Sequence, residues 1–195
     1  MKTQYLYILV IILIILSTGL IISVKFNYQL CDSLKANKQE LSEKDIELYS
    51  VLWAMNQQYK NTGKRLADFN ILANKQRYPF SSFLKDKYEL FYKFSLGDCS
   101  TCIETELKNI KENADFIKIL IETSNSRDFK TFLTINHIDT TKAFLIEKPI
   151  LEEAELPFYF ISNKQLCIRD FFSPIKEVPE LTIKYYQAMQ DKYID

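Results

Sequence analysis

Glycine is scarce in this chain and histidine all but missing. Three glycines, five prolines and one histidine occur in 195 residues. Each glycine or proline therefore marks a particular turn or break. The chain also lacks net charge, since 25 Lys and Arg balance 25 Asp and Glu. Nothing in that balance favours nucleic acid as a partner, because phosphate binding needs a clustered basic surface. The four cysteines, Cys31, Cys99, Cys102 and Cys167, are too few for a disulfide-stapled scaffold. What is abundant is apolar: hydrophobic residues make up 47% and aromatics 14%, enough for a packed core and against general disorder. The length allows one domain of ordinary size with appendages.

The longest apolar run is at the start. From Tyr5 to Val24 the chain reads YLYILVIILIILSTGLIISV, and no charge falls between Lys2 and Lys25. As a helix rising ~1.5 Å per residue, residues 3–24 reach about 33 Å, the thickness of a hydrocarbon core. Tyr5 and Tyr7 suit the interfacial belt. Cleaved signal peptides have shorter apolar regions that end at a small-x-small site, whereas this run is longer and Ser17-Thr18-Gly19 is followed by more apolar residues. The expectation is a single-pass anchor over residues 1–25 that contacts membrane through residues 5–24. Its N-terminus is taken as cytoplasmic and the C-terminal domain as periplasmic or otherwise extracytoplasmic.

Residues 26–62 read as a helical stalk. Leu34, Leu41, Leu48 and Met55 recur every seven residues, but Lys38 and Asp45 interrupt the second seam position, which disfavours a long coiled coil. Asn61-Thr62-Gly63 stops the helix. The sequence sets no oligomeric state.

Residues 63–195 form the expected domain. Leu66–Leu72 alternates at period two and, with Arg77–Phe80, predicts a β-hairpin turning at Asn74-Lys75. Strands follow at Tyr88–Ser95, Phe116–Ile121 and Ala143–Ile146, with a strand pair at Phe158–Ile161 and Leu166–Phe172 joined at Asn163-Lys164. Helices are predicted over Cys99–Glu112, with Ile103, Leu107 and Ile110 at i, i+4 and i+7, over Arg127–Asn136, with Phe129, Phe132, Leu133 and Ile135, and over Val178–Tyr193, which is amphipathic. Strand–helix alternation ending in an antiparallel pair implies an α/β fold, a mixed sheet covered by helices.

The chemical signal is Cys99-Ser100-Thr101-Cys102, placed where a strand ends and a helix begins. A thiol there faces unpaired backbone N–H groups and the positive end of the helix dipole, both of which favour thiolate. Cys99 would be the exposed attacking thiolate and Cys102, one turn on, the shielded resolving thiol. A zinc site would have to recruit Cys31, Cys167 or His137, and there is no second CxxC or CxxH, so no metal is expected. His137 reads as a helix-terminal or loop residue and Cys167 as a small strand side chain.

Together these features resemble the thioredoxin-like superfamily, in particular the membrane-tethered thiol–disulfide proteins of the bacterial envelope, the cytochrome-c-maturation type. Gly63-Lys64-Arg65-Leu66-Ala67-Asp68-Phe69-Asn70-Ile71-Leu72 is similar to the G-x-x-x-P-D-F-x-L opening of such domains, with Ala67 in place of proline. Leu156-Pro157-Phe158 is similar to the segment whose cis-proline faces the CxxC, which makes Pro157 and Leu156 groove candidates. The flanks depart from the family: Asp98 replaces the usual aromatic before the first cysteine, and Lys93 stands where many thioredoxins bury an acid. Both are candidate modulators of the Cys99 pKa, with opposite signs. The resemblance implies a thiol–disulfide oxidoreductase acting on protein thiols and disulfides of the envelope without metal or organic cofactor. The alternative is a non-catalytic binding module with a structural Cys99–Cys102 disulfide.

Overall fold

The computed structural model describes residues 2–73, 76–151, 154 and 156–194, with the backbone alone for residues 2–16 and 73. The chain divides into two compact units, residues 1–48 and 49–195. The described residues of the first are helical and belong to helix α1, Lys2–Asn61. Among the described residues no helix is long and apolar enough to cross a membrane. Most of the expected span, residues 5–16, lies outside the described side chains, as does the Asn74-Lys75 turn.

The second unit begins at Tyr49, so the last turns of α1 belong to the domain that the sequence placed from residue 63. Gly63 ends this stretch with φ +88°, a conformation that glycine adopts without strain. Its N–H donates to the Ile168 carbonyl at 2.8 Å, tying the helix exit to the sheet.

Hairpin β1 (Asn70–Ala73) and β2 (Gln76–Pro79) leads through a single helical turn, α2 (Phe80–Phe83), to β3 (Glu89–Ser95). Then come α3 (Ser100–Asn113), β4 (Lys118–Glu122), α4 (Ser126–Ile135), β5 (Ala143–Ile146), β6 (Phe158–Ser162), β7 (Arg169–Phe172) and α5 (Glu180–Met189). A π-helical turn, Gln190–Ile194, extends α5. The seven strands form one sheet in the order β2-β1-β5-β4-β3-β6-β7. β3, β4 and β5 are parallel, while β6 pairs antiparallel with β3 and β7 with β6. A parallel βαβ unit continued by an antiparallel pair, with the CxxC after its first strand, is a thioredoxin-like arrangement.

β3 is buried on both faces, which explains its apolar and aromatic run, broken only by Lys93. Leu90, Tyr92 and Phe94 join Ile103, Ile110, Leu133 and Tyr186 in the core that includes residues of α3, α4 and α5. Phe91 joins Phe80, Phe158, Phe160 and Phe171 in a second core on the opposite face. Cross-strand stacking of Tyr92 on Tyr159 and of Phe91 on Phe160 pins the β3–β6 register on both faces.

Several details differ from the sequence reading. α2 was not expected; Asp68 holds it by accepting from the Ser81 N–H at 3.0 Å and the Ser81 hydroxyl at 2.6 Å. β7 starts at Arg169 instead of Leu166, because Leu166 takes φ +57° and Cys167 makes only an isolated bridge with Arg65. No peptide bond among the described residues is cis, so the bond before Pro157 is trans. Trans is the favoured isomer of an X–Pro bond by about 0.5–1 kcal/mol, and here the proline simply opens strand β6.

Candidate functional site

Strand β3 delivers the chain into the turn Leu96-Gly97-Asp98, and Cys99 is the N-cap of α3. Asp98 shapes this turn: its Oδ2 accepts from the Ser95 N–H at 2.7 Å, and its own N–H donates to the Ser95 carbonyl at 3.0 Å. The Cys99 carbonyl then accepts the first helical bond, from the Ile103 N–H at 3.1 Å. The sulfur therefore sits at the amino end of the helix, as the motif's position requires.

The two thiols are free, Cys99 exposed and Cys102 half-buried. The Cys102 thiol donates to Cys99 Sγ at 2.8 Å, and the Thr101 hydroxyl lies 3.2 Å from the same sulfur. These contacts stabilise a thiolate on Cys99. The Cys102 thiol contributes most, then the Thr101 hydroxyl and the Cys102 backbone N–H, with the Lys176 ammonium weakest, and together they hold the Cys99 pKa down to about 7. The Cys102 pKa moves the other way, raised first by its hydrogen bond to Cys99 and then by burial. The pair is thus polarised into an exposed, readily ionised sulfur and a protonated neighbour.

Asp98 and Lys93, the candidate modulators, are both held by other groups. The Asp98 carboxylate is engaged in its turn. Lys93 is buried beside strand β4, where its Nζ lies 2.6 Å from Glu122 and 5.7 Å from the centre of the Phe158 ring. The positive charge that favours the Cys99 thiolate is that of Lys176, exposed in the segment between β7 and α5. Nothing in the CxxC motif signals a lysine so distant in sequence.

The cysteines open on a cleft of about 900 Å³. Leu156 and Pro157 line it, so both groove candidates share the cleft with Cys99. Tyr49 and Trp53 of α1 and Ile175 of the β7–α5 segment form other parts of the wall.

Glu106, one turn beyond Cys102, is a cleft residue that the sequence reading missed. Its carboxylate is buried and accepts from the Tyr159 hydroxyl at 2.7 Å, the Tyr186 hydroxyl at 3.0 Å and the Thr182 hydroxyl at 3.4 Å. Burial nonetheless raises its pKa above the ordinary glutamate value, against those three bonds. A glutamate at a helical apolar position (Cys102, Glu106, Ile110) was the available signal. Tyr92, also on the cleft, buries a hydroxyl that has no hydrogen-bond partner among the described residues.

Cys167 lies apart in the β6–β7 connection, its thiol directed at the Gly63 carbonyl at 3.6 Å. His137 follows α4 with φ +53°, a helix-terminal position. No three His, Cys, Asp or Glu residues gather to hold a metal ion among the described residues.

No known family pattern and no curated protein matches this chain. Solved structures similar to it include the thioredoxin domain of a thiol-disulfide oxidoreductase from Bacteroides vulgatus, 16% identical, covering 64% of this chain and 97% of that one with a TM-score of 0.47. A thiol:disulfide interchange protein from a Bacteroides species is 18% identical over 65% of this chain and 90% of its own, with a TM-score of 0.44. A peroxiredoxin-like protein from Aquifex aeolicus is 11% identical over 66% and 86%, with a TM-score of 0.45.

Proposed function

We propose that this protein is a thiol–disulfide oxidoreductase that reduces disulfides of partner proteins, and that residues 5–24 tether it to a membrane with the domain on the extracytoplasmic side. The observation that carries the redox reading is the pair itself: an exposed Cys99 at the start of α3 with Cys102 at 2.8 Å as hydrogen-bond donor.

In this reading the Cys99 thiolate attacks one sulfur of a partner disulfide. A Cys99–partner disulfide forms, and the other partner sulfur leaves as thiolate. Cys102 then loses its proton and attacks Cys99 Sγ. The Cys99–Cys102 disulfide forms, the second partner sulfur departs, and two electrons have passed from the dithiol to the partner. Returning the pair to the dithiol takes a dithiol-class electron donor.

Thiol–disulfide exchange by the full chain in detergent, measured with a peptide disulfide, tests the redox reading. Cys99→Ser should abolish turnover, and Cys102→Ser should trap the mixed disulfide. Unchanged exchange in Cys99→Ser would overturn the assignment. Exposure of Cys99 disfavours the alternative of a purely structural disulfide, which is better protected when buried. For the tether, alkaline extraction of membranes should leave the full chain in the pellet and release a variant lacking residues 1–25; release of both would remove that part.

A further inference from the structure

We propose that the end of helix α1 reads the polypeptide around the reactive sulfur, and that Trp53 selects an extended segment with an apolar residue beside its half-cystine. This rests on the thiol–disulfide reading above and gives that site a substrate class.

Within the compact unit, Ala54 is 6% exposed and Asn61 1%, so one side of the helix end is seated on the body. The Asn61 amide also donates to the Gln57 carbonyl at 3.0 Å. Trp53, next to the seated Ala54, remains 40% exposed, and Tyr49, one turn earlier, 74%. Both line the cleft that holds Cys99 and Cys102. Leu156 stands in the same wall, 51% exposed. Three large apolar side chains thus stay accessible in a concavity that also holds a nucleophilic sulfur. Apolar walls with a few polar groups form the usual plan of a recognition site, and Trp and Tyr supply much contact area at little entropic cost.

The occupant follows from chemistry and charge. It must bring a disulfide sulfur to Cys99, and a volume of about 900 Å³ exceeds what a lone cystine needs, leaving room for flanking residues. Of the exposed charges on the cleft, Lys176 is basic while Asp98 and Glu177 are acidic, so nothing there favours an acidic side chain beside the half-cystine. Prolines 157, 174 and 179 border the cleft and restrict its backbone, so the walls are pre-shaped for an extended chain.

Trp53 is the chain's one tryptophan, so its emission reports directly on this wall. The test uses the full chain in detergent with short peptide disulfides whose half-cystine is flanked by Leu or by Glu, and with the same peptides carrying Ser for Cys. The wild type should favour the Leu-flanked disulfide in kcat/KM by at least about tenfold. Trp53→Ala should lose most of that preference through KM, and Trp53→Phe should restore it. A preference that survives in Trp53→Ala, or an equal fall for both peptides, overturns the proposal. The unreactive Leu–Ser peptide should shift the Trp53 emission at saturation, and its failure to do so overturns the recognition wall whether or not exchange occurs. Exchange with neither peptide, beside an intact emission shift, would instead remove the redox reading. An emission that changes with protein concentration alone would place a second copy in the cleft and overturn the choice of occupant.

Discussion

Cys102 donates its thiol hydrogen to Cys99 Sγ across 2.8 Å, so the resolving sulfur is also the main stabiliser of the attacking one. One bond therefore sets both roles. While it persists, Cys99 is readily ionised and Cys102 stays protonated. Once Cys99 is tied up in a mixed disulfide its sulfur carries no charge, that restraint on Cys102 weakens, and the second attack becomes easier.

The alkylation rate of reduced Cys99 should follow a single ionisation with a midpoint at about pH 7. Cys102→Ala deletes the largest stabilising contact, so the midpoint should move up toward the ~8.5 of a free thiol. Cys102→Ser keeps a donor and should fall between. Iodoacetamide kinetics from pH 5 to 10 measure this; a midpoint unmoved in Cys102→Ala would contradict the role given to that bond.

Lys176 acts on Cys99 through space from an exposed position, and solvent screens it. Lys176→Gln should therefore raise the Cys99 midpoint slightly, and Lys176→Glu should raise it further. Both differences should shrink in 1 M salt, where the screening length is about 3 Å. A difference that survives high salt would point to a direct contact instead of a field effect.

The strands and helices that carry the cysteines were legible because they obey simple periods. β3 is a mostly apolar, aromatic-rich run ahead of a turn, β5 spans the expected Ala143–Ile146, and α3 begins at the cysteine pair. Tertiary facts were less accessible. Glu106 joins Tyr159, Thr182 and Tyr186, residues 53, 76 and 80 positions away, only after α5 packs on α3. Lys93 occupies an inward position on a central strand, and its meaning came from Glu122 on the neighbouring strand. The helix end with Trp53 read as stalk because its exposed leucines hide the single seated face.

The Lys93–Glu122 pair is structural. Lys93 is almost fully enclosed, whereas the Glu122 side chain is 22% exposed. Removing one partner of a buried pair strands the other, at a cost of about 3–5 kcal/mol when both are enclosed. Glu122→Gln, which strands the deeper lysine, should thus cost more than Lys93→Met, which leaves a carboxylate with some access to water. The double variant should be more stable than the sum of the two losses predicts. Denaturant unfolding measures all three, and additivity would show that the ions do not interact.

Two buried tyrosine hydroxyls should respond oppositely to removal. The Tyr92 hydroxyl is buried without a partner among the described residues, so Tyr92→Phe should be neutral or stabilising, by up to about 1 kcal/mol. The Tyr159 hydroxyl donates to Glu106 at 2.7 Å, so Tyr159→Phe should cost about 1.5–3 kcal/mol. Equal effects in denaturant unfolding would mean that the Glu106 bond contributes nothing net.

Glu106 itself predicts how stability changes with pH. An unfolded glutamate titrates near ~4.3, and burial lifts the folded value above that. The folded state therefore keeps this proton to higher pH than the unfolded chain does. The associated stability is fully present below about pH 4.3 and is lost as pH rises through the raised folded value. Glu106→Gln carries no such proton, so wild-type stability relative to this variant should decline across that interval and level off above it. Glu106→Ala should be worse than Gln at every pH, by roughly 1–3 kcal/mol, because it also leaves the enclosed hydroxyls of Tyr159, Tyr186 and Thr182 without their acceptor. Unfolding curves from pH 4 to 8 decide the matter: a wild-type-minus-Gln difference that is flat, or that grows with pH, would mean that burial does not control this carboxyl.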